Sequence, residues 1–185
     1  MKYMFASDLH GSAFYTQKVL EEFERSGAEK LILLGDLLYH GARNDLTKDY
    51  NTKKCTALLN QYADRIIACR GNCDSEIDQM VLNFPMSSDY NILELNGFTF
   101  FMTHGHLFDP EHLPPMGACD VFAFGHIHIP VIQELDNDIT IVNPGSASLP
   151  KNGYPESYAI LDGNHFIIRD FDGGIIKEIR LAKTL

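Results

Sequence analysis

Three absences bound what this chain can be. No apolar run approaches the roughly 18 residues needed to cross a bilayer; the longest, such as those at 31–34 and 121–124, are only four residues each. Basic residues are scarce: 15 Lys and Arg against 25 Asp and Glu leave a formal net charge of −10 and a sequence pI near 5.1. Binding to a duplex requires a basic footprint, so the balance argues against nucleic-acid polymers and against membrane surfaces as partners. It suits a protein that gathers cations. Finally, the four cysteines, Cys55, Cys69, Cys73 and Cys119, show no CxxC pair and no zinc-type spacing, which favours a reducing, cytoplasmic compartment. The opening residues 1–7 are too short for a secretory leader and meet Asp8 at once, so they read as a first strand.

What is there is an ordinary globular composition, 45% hydrophobic and 22% charged over 185 residues. That length predicts one compact domain, 1–185, burying about 70% of its unfolded surface. The first half alternates short apolar runs with helical stripes, the grammar of parallel strands joined by helices. Strands are predicted at 2–6, 30–34 and 66–68. A helix with Phe14, Val19, Leu20 and Phe23 on one face is opened by Ser12 and closed by Gly27. A second carries Cys55, Leu58, Leu59 and Tyr62. A short third carries Ile77, Met80, Val81 and Phe84 and stops at Pro85. Beyond Pro85 the pattern turns to hairpins: 91–95 and 98–102 around Asn96-Gly97, a buried strand at 121–124, strands at 131–135 and 139–142 around the acidic turn Asp136-Asn137-Asp138, and a meander at 158–161, 165–169 and 175–181. The interspersed Phe and Tyr residues read as core. The whole predicts an α/β fold with two packed sheets and helices outside.

The chemistry-bearing residues fall at strand ends. Asp8 and His10 follow the first strand, Asp36 the second and Asn72 the third; His104 ends the hairpin strand, and His126 and His128 end the next. In open α/β sheets ligands bind beyond the carboxyl ends of strands, where loops converge. Each motif alone is an ordinary loop or cap; five successive strand ends carrying Asp, Asn or His point to a metal site. His126 and His128, two apart on a segment read as extended, would project to one side. Mixed Asp, Asn and His donors suit manganese, iron or zinc better than calcium or magnesium.

In order, Asp8-Leu9-His10, Gly35-Asp36, Gly71-Asn72-Cys73-Asp74, Thr103-His104-Gly105 and Gly125-His126-Ile127-His128 resemble the five blocks of the calcineurin-like metallophosphoesterases, over residues 3–146. The short length, with Asn143-Pro144-Gly145-Ser146 after the last block, is similar to the small bacterial YfcE-type phosphodiesterases. The resemblance implies a four-layer sandwich, two mixed β-sheets face to face and flanked by helices. It implies two divalent ions, manganese first and zinc or iron next: Asp8, His10, Asp36 and His128 would hold one, and Asp36, Asn72, His104 and His126 the other, with Asp36 bridging. Ions so held would neutralise a small phosphodiester and activate a water for attack on phosphorus. A phosphomonoesterase of the same fold, or a non-catalytic protein-interaction scaffold such as the retromer subunit that shares it, are the competing readings. A homo-oligomer is left open.

One position departs from the pattern. Many relatives have His where this chain has Cys73, and that histidine is thought to protonate the leaving group. A thiol near 8.5 is a poorer general acid, and nearby cations would favour thiolate, so diesters with stable leaving groups are expected over phosphoserine-type monoesters. Cys73 as a small packing group is the equal alternative, with Asp74, its usual partner, then a cap. His106, two residues after His104, and Arg43, in the loop after Asp36, are candidate substrate contacts. Arg43 with Asn44 and Lys151 also reads as solvated loop. His40, His112 and His165 read as surface or satisfied core groups.

Overall fold

The computed structural model describes residues 1–114, 120–135 and 138–183. Cys119 and the predicted turn residues Asp136 and Asn137 lie outside them. Three parallel strands, β1 (Lys2–Ala6), β2 (Lys30–Leu33) and β3 (Ile66–Ala68), form one side of a six-stranded sheet; β9 (Ser157–Asp162), β10 (His165–Asp170) and β11 (Ile175–Arg180) extend it antiparallel, giving the order β11-β10-β9-β1-β2-β3. The second sheet has the order β4-β5-β6-β8-β7, from β4 (Tyr90–Leu95), β5 (Phe98–Thr103), β6 (Val121–Ala123), β7 (Pro130–Glu134) and β8 (Thr140–Pro144). Within it β5, β6 and β8 are parallel, and β4 and β7 are antiparallel edges.

The sheets pack face to face. Alternate residues of β1, Tyr3 and Phe5, meet Phe100, Met102, Val121 and Val142 of the other sheet, while Met4 and Ala6 face the helices, the period-2 alternation of a strand buried on both faces. The Phe5 ring lies 5.8 Å from Phe100 across the interface and 5.3 Å from Phe166. Each such ring, wholly removed from water, contributes about 1.5–3 kcal/mol.

Local chemistry sets the boundaries. Helix α1 (Ala13–Ser26) starts where the Ser12 hydroxyl accepts the Tyr15 amide and ends at Gly27, whose φ of 67° needs no Cβ. Its buried face is Ala13, Thr16, Val19, Leu20 and Phe23, with Phe14 half-buried beneath the Lys48 ammonium instead. Helix α2 (Thr52–Asn60) is capped by Asn51 and buries Cys55 and Leu59. Asn96-Gly97, φ 53° and 86°, turns the β4–β5 hairpin.

One expectation needs revision. Helix α3 (Glu76–Val81), held by a capping box between Ser75 and Asp78, buries none of its residues; Ile77, Met80 and Val81 are exposed. It is under two turns long, and the chain leaving it carries Leu82, Phe84 and Met86 into the core in its place. Among the described residues, helices cover only the six-stranded sheet. The outer face of the other sheet, with Phe101, Phe122 and Ile141, is covered by Phe108 and Leu113 of the loop after β5. No helix of the described residues is long and apolar enough to cross a membrane.

Candidate metal centre

The carboxyl ends of β1, β2, β3, β5, β6 and β8 meet at one edge of the sandwich, and the predicted ligands meet there. His10 Nε2 lies 3.7 Å from Asp8 Oδ1 and 3.6 Å from Asp36 Oδ2. His104 Nε2 lies 3.3 Å from Asp36 Oδ2 and 4.0 Å from Asp8 Oδ1. His128 Nε2 lies 3.4 Å from Asp8 Oδ1, and Asn72 Oδ1 is 3.1 Å from His104 Nε2. His126 donates its backbone N–H to Asp8 Oδ2 at 3.1 Å, and its ring centroid is 5.1 Å from that of His104. All seven predicted ligands therefore come together, Asp8, His10, Asp36, His104 and His128 buried, Asn72 and His126 toward solvent.

The ring orientations follow from backbone carbonyls. Nδ1 of His10, His104 and His128 lies 2.9, 2.6 and 2.6 Å from the carbonyls of Tyr39, Leu34 and Leu149. A carbonyl only accepts, so Nδ1 donates and the neutral rings turn bare Nε2 lone pairs inward, the arrangement that outer-shell partners impose on ligating histidines. With neutral rings the converging side-chain atoms are acceptors, and the backbone N–H groups of His126 and Cys73 reach only the outer carboxylate oxygens, Asp8 Oδ2 and Asp36 Oδ1. Nε2 of His10 and Nε2 of His128 stand 3.3 Å apart, lone pair to lone pair when both rings are neutral; Asn72 Oδ1 lies 3.1 Å from His104 Nε2. Asp8 Oδ1, fully buried, has no hydrogen-bond partner. Such a cluster needs positive charge, as protons or as metal ions. The donor set, two carboxylates, an amide oxygen and four imidazoles, fits divalent transition ions.

Without an ion, His104 supplies part of that charge. Burial alone would lower its pKa, but the Asp36 hydrogen bond and the Asp8 and Asp36 charges raise it to about 9. Burial likewise works against ionisation of Asp36, yet the His104 hydrogen bond and charge hold it well below the usual carboxylate range. Burial and the His104 charge lower His126.

Unusual backbone delivers these side chains. Asp8, His10, Asp36, His126 and His128 have φ of 56°, 45°, 56°, 66° and 60°, a region that few non-glycine residues occupy and that is enriched at functional sites and turns. The extended reading of 126–128 is thereby corrected: a tight turn with Ile127 N–H on the Gly125 carbonyl sends His126 toward His104 and His128 toward His10. Glycine makes the crowding tolerable. A Cβ on Gly35 would lie 2.6 Å from the Gly71 nitrogen and 2.7 Å from His104 Nδ1. The Ser146 and Ser148 hydroxyls, after β8, hold the Asp8 carbonyl at 3.0 and 2.8 Å.

The remaining candidates separate. Asp74 anchors the loops: Oδ2 accepts the N–H groups of Asp36 and Gly71 at 2.8 and 2.7 Å, and Oδ1 that of Leu37 at 2.8 Å. It ties two ligand loops rather than capping α3, which Ser75 does. Cys73 donates its backbone N–H to Asp36 Oδ1 at 2.8 Å; its thiol is pushed up to about 12 by burial and by Asp36, Asp74 and Asp8, so in the protein alone it is neutral. Arg43, Asn44 and Lys151 line the open cleft of about 670 Å³ above the cluster. His106 does not line it; its ring sits 5.4 Å from that of His104, with a buried, unpartnered Nδ1. His112 and His165 are remote, paired with Asp109 and Glu178. Tyr39, read as core, is exposed on the cleft wall. Sequence reasoning could not have found the carbonyls of Leu34, Tyr39 and Leu149, since a carbonyl carries no residue identity; the serines of Asn143-Pro144-Gly145-Ser146 and Ser148 were visible but without an assigned partner.

Comparisons with known proteins agree with this geometry. The chain is 47% identical over 182 residues to phosphodiesterase YfcE of Escherichia coli strain K12, covering 98% of both sequences. A solved structure of the E. coli phosphoesterase YfcE superposes with a TM-score of 0.95 at 46% identity, covering 98% of this chain and all of that one. Vacuolar protein sorting 29 from Cryptosporidium parvum shares the fold, with a TM-score of 0.65 at 17% identity over 97% of each chain. The sequence pattern of the calcineurin-like phosphoesterase superfamily domain matches residues 1–165, and the chain belongs to that superfamily.

Proposed function

We propose that the chain is a dinuclear-metal-dependent phosphodiesterase acting on small phosphodiesters. The observation that carries this is the buried convergence of carboxylate and imidazole acceptors around Asp8 Oδ1, which has no partner of its own. Asp8, His10, Asp36 and His128 would hold one ion, and Asp36, Asn72, His104 and His126 would hold the other, with Asp36 common to both sets. Supporting the assignment, ligand-type atoms of Asp8, His10 and His128 fall within 4.8 Å of one another, and Asp36 Oδ2 lies between the two sets, 3.6 Å from His10 Nε2 and 3.3 Å from His104 Nε2. Manganese is the first candidate, zinc or iron the next. Two divalent ions held there would supply the positive charge that offsets a phosphate's anionic oxygens and makes water a better nucleophile.

The chain's own groups do the rest. The three Nδ1–carbonyl bonds fix the imidazoles, and Asp74 fixes the Asp36 and Gly71 loops. Arg43 and Lys151, at the mouth of an otherwise acidic molecule, offer the cations that attract a small anion. Beside two cations the Cys73 thiol would ionise more readily than in the protein alone, and a thiolate has no proton to donate, so turnover depends on leaving groups stable as anions. Identity to a relative described as a phosphodiesterase supports the diester reading over the monoester one. The family match and the closure of the six-stranded sheet by β10 and β11 support 1–185 as a single domain. The free thiols Cys55, Cys69 and Cys73 support a reducing compartment such as the cytoplasm.

The test is reconstitution of metal-stripped protein with manganese, zinc or magnesium, against an aryl diester, an aryl monoester and phosphoserine. Manganese-dependent diester hydrolysis exceeding both monoesters is the expected result. Faster phosphoserine hydrolysis, or activity indifferent to chelator, refutes the proposal.

A further inference from the structure

The apolar stripe of α3 finds no place in the core. Ile77 and Val81, one turn apart, are 70% and 45% exposed. A lone exposed apolar side chain is ordinary, but these two converge with Tyr39, Tyr50, Thr56 and Cys73 on one cleft of about 540 Å³ between α2 and α3. This cleft adjoins the one above the metal centre. Tyr39 and Cys73 line both cavities, and Cys73 Sγ lies within 4.8 Å of ligand-type atoms of His10 and Asp36. An ester held at phosphorus over Asp36 and His10 thus has apolar walls beginning one side chain away. Water in such a cleft is readily displaced by an apolar group, with a gain proportional to the area covered.

Resting on the phosphodiesterase reading, we infer that the α2–α3 cleft is a substrate subsite, and that the preferred diesters carry an aryl or similarly apolar substituent on one ester oxygen. Ile77 and Val81 are its outer wall and Cys73 its inner one. Met80, also exposed on α3 but not lining the cleft, is the internal control.

Diphenyl phosphate and dimethyl phosphate, compared as competitive inhibitors of a chromogenic diester in the manganese-loaded protein, test this. Diphenyl phosphate should bind at least roughly tenfold tighter, on the scale of discrimination in apolar pockets. That ratio should collapse toward one in I77S/V81S and persist in M80S. A binding readout independent of turnover is methyl NMR of the zinc-loaded protein: the Ile77 and Val81 methyl signals should move with diphenyl phosphate and stay with dimethyl phosphate. Equal inhibition, or shifts that miss these methyls, overturns the subsite while leaving diester hydrolysis intact. Absence of any hydrolysis overturns the phosphodiesterase reading, and the NMR titration still decides whether the cleft takes an aryl phosphate. A dimer in sedimentation that I77S and M80S dissociate alike, with the ratio near one, overturns the subsite in favour of a second copy of the chain.

Discussion

Asp74→Asn separates the anchoring of the site from its ligand chemistry. The Asp74 carboxylate accepts three backbone N–H groups, two on Oδ2 and one on Oδ1. Asparagine offers one acceptor oxygen and an NH₂ that only donates. With its oxygen over Asp36 and Gly71, its NH₂ faces the Leu37 N–H, donor against donor; flipped, two N–H groups lose their acceptor. Hydrogen bonds to a charged group contribute about 1.5–3 kcal/mol each, and an orphaned donor adds its own penalty, so the loss is about 3 kcal/mol. At about 2–4 °C per kcal/mol for a chain of this length, the melting temperature falls by roughly 6–12 °C. Burial and the Asp36 charge push Asp74 up to about 6. Removing its charge relieves that repulsion, so the loss in chelator lies at the lower end of the range. The same slackening of the Asp36 loop weakens ion binding about 10–100-fold, as loss of outer-shell partners does, at about 1.4 kcal/mol per tenfold. Thermal melts in EDTA and in manganese, with calorimetric titration of the ion, measure both effects. A variant with wild-type melting and wild-type manganese affinity refutes the anchoring argument.

Asp36→Asn removes the carboxylate shared between the two proposed ions; metal content should fall from two ions toward one by elemental analysis, with nearly all diester turnover lost, and retained metal and activity contradict the assignment. Metal-free protein should lose stability with alkali: His104, raised to about 9 from roughly 6.5 in the unfolded chain, stabilises fully below about 6.5, and that contribution disappears as pH rises through about 9. Asp8 and Asp36, both lowered, act in the opposite sense, losing their contribution as pH falls below the usual carboxylate range. Melts in EDTA should therefore decline from pH 6.5 to 9.5, and melts in manganese less so; a flat EDTA profile refutes the pairing. Cys73→His supplies a group titrating near neutrality beside Asp36 and should raise turnover of alkyl esters relative to aryl ones, read as a ratio of kcat/KM; an unchanged ratio means position 73 takes no part in leaving-group departure.

The convergence of the proposed ligands was legible because chemistry and topology coincide in the sequence: Asp8, Asp36, Asn72, His104 and the start of the 126–128 pair each stand within three residues after an apolar run, and parallel strands gather such positions at one edge. Local signals at Ser12, Gly27 and Asn96-Gly97 likewise fixed their elements. What stayed hidden depends on partners rather than identities. Nothing in Gly125-His126-Ile127-His128 announces left-handed backbone, because glycine is the usual sign and here histidines adopt it. The carbonyls that aim the imidazoles belong to residues whose side chains point elsewhere. The stripe of α3 looks like a core face because periodicity reports amphipathicity and is silent on whether a neighbour exists to receive it.

The left-handed geometry at five of the seven proposed ligand positions sets stability against function. Each such residue holds the chain in a conformation it would otherwise leave, a penalty of order 1–3 kcal/mol that the surrounding sheets must outweigh. Glycine at the half-buried position 126, where φ is 66°, would relax that penalty and at the same time delete a donor. The most restful version of this protein is therefore not the working one, and selection for robustness alone would erode the cluster from its solvent side inward.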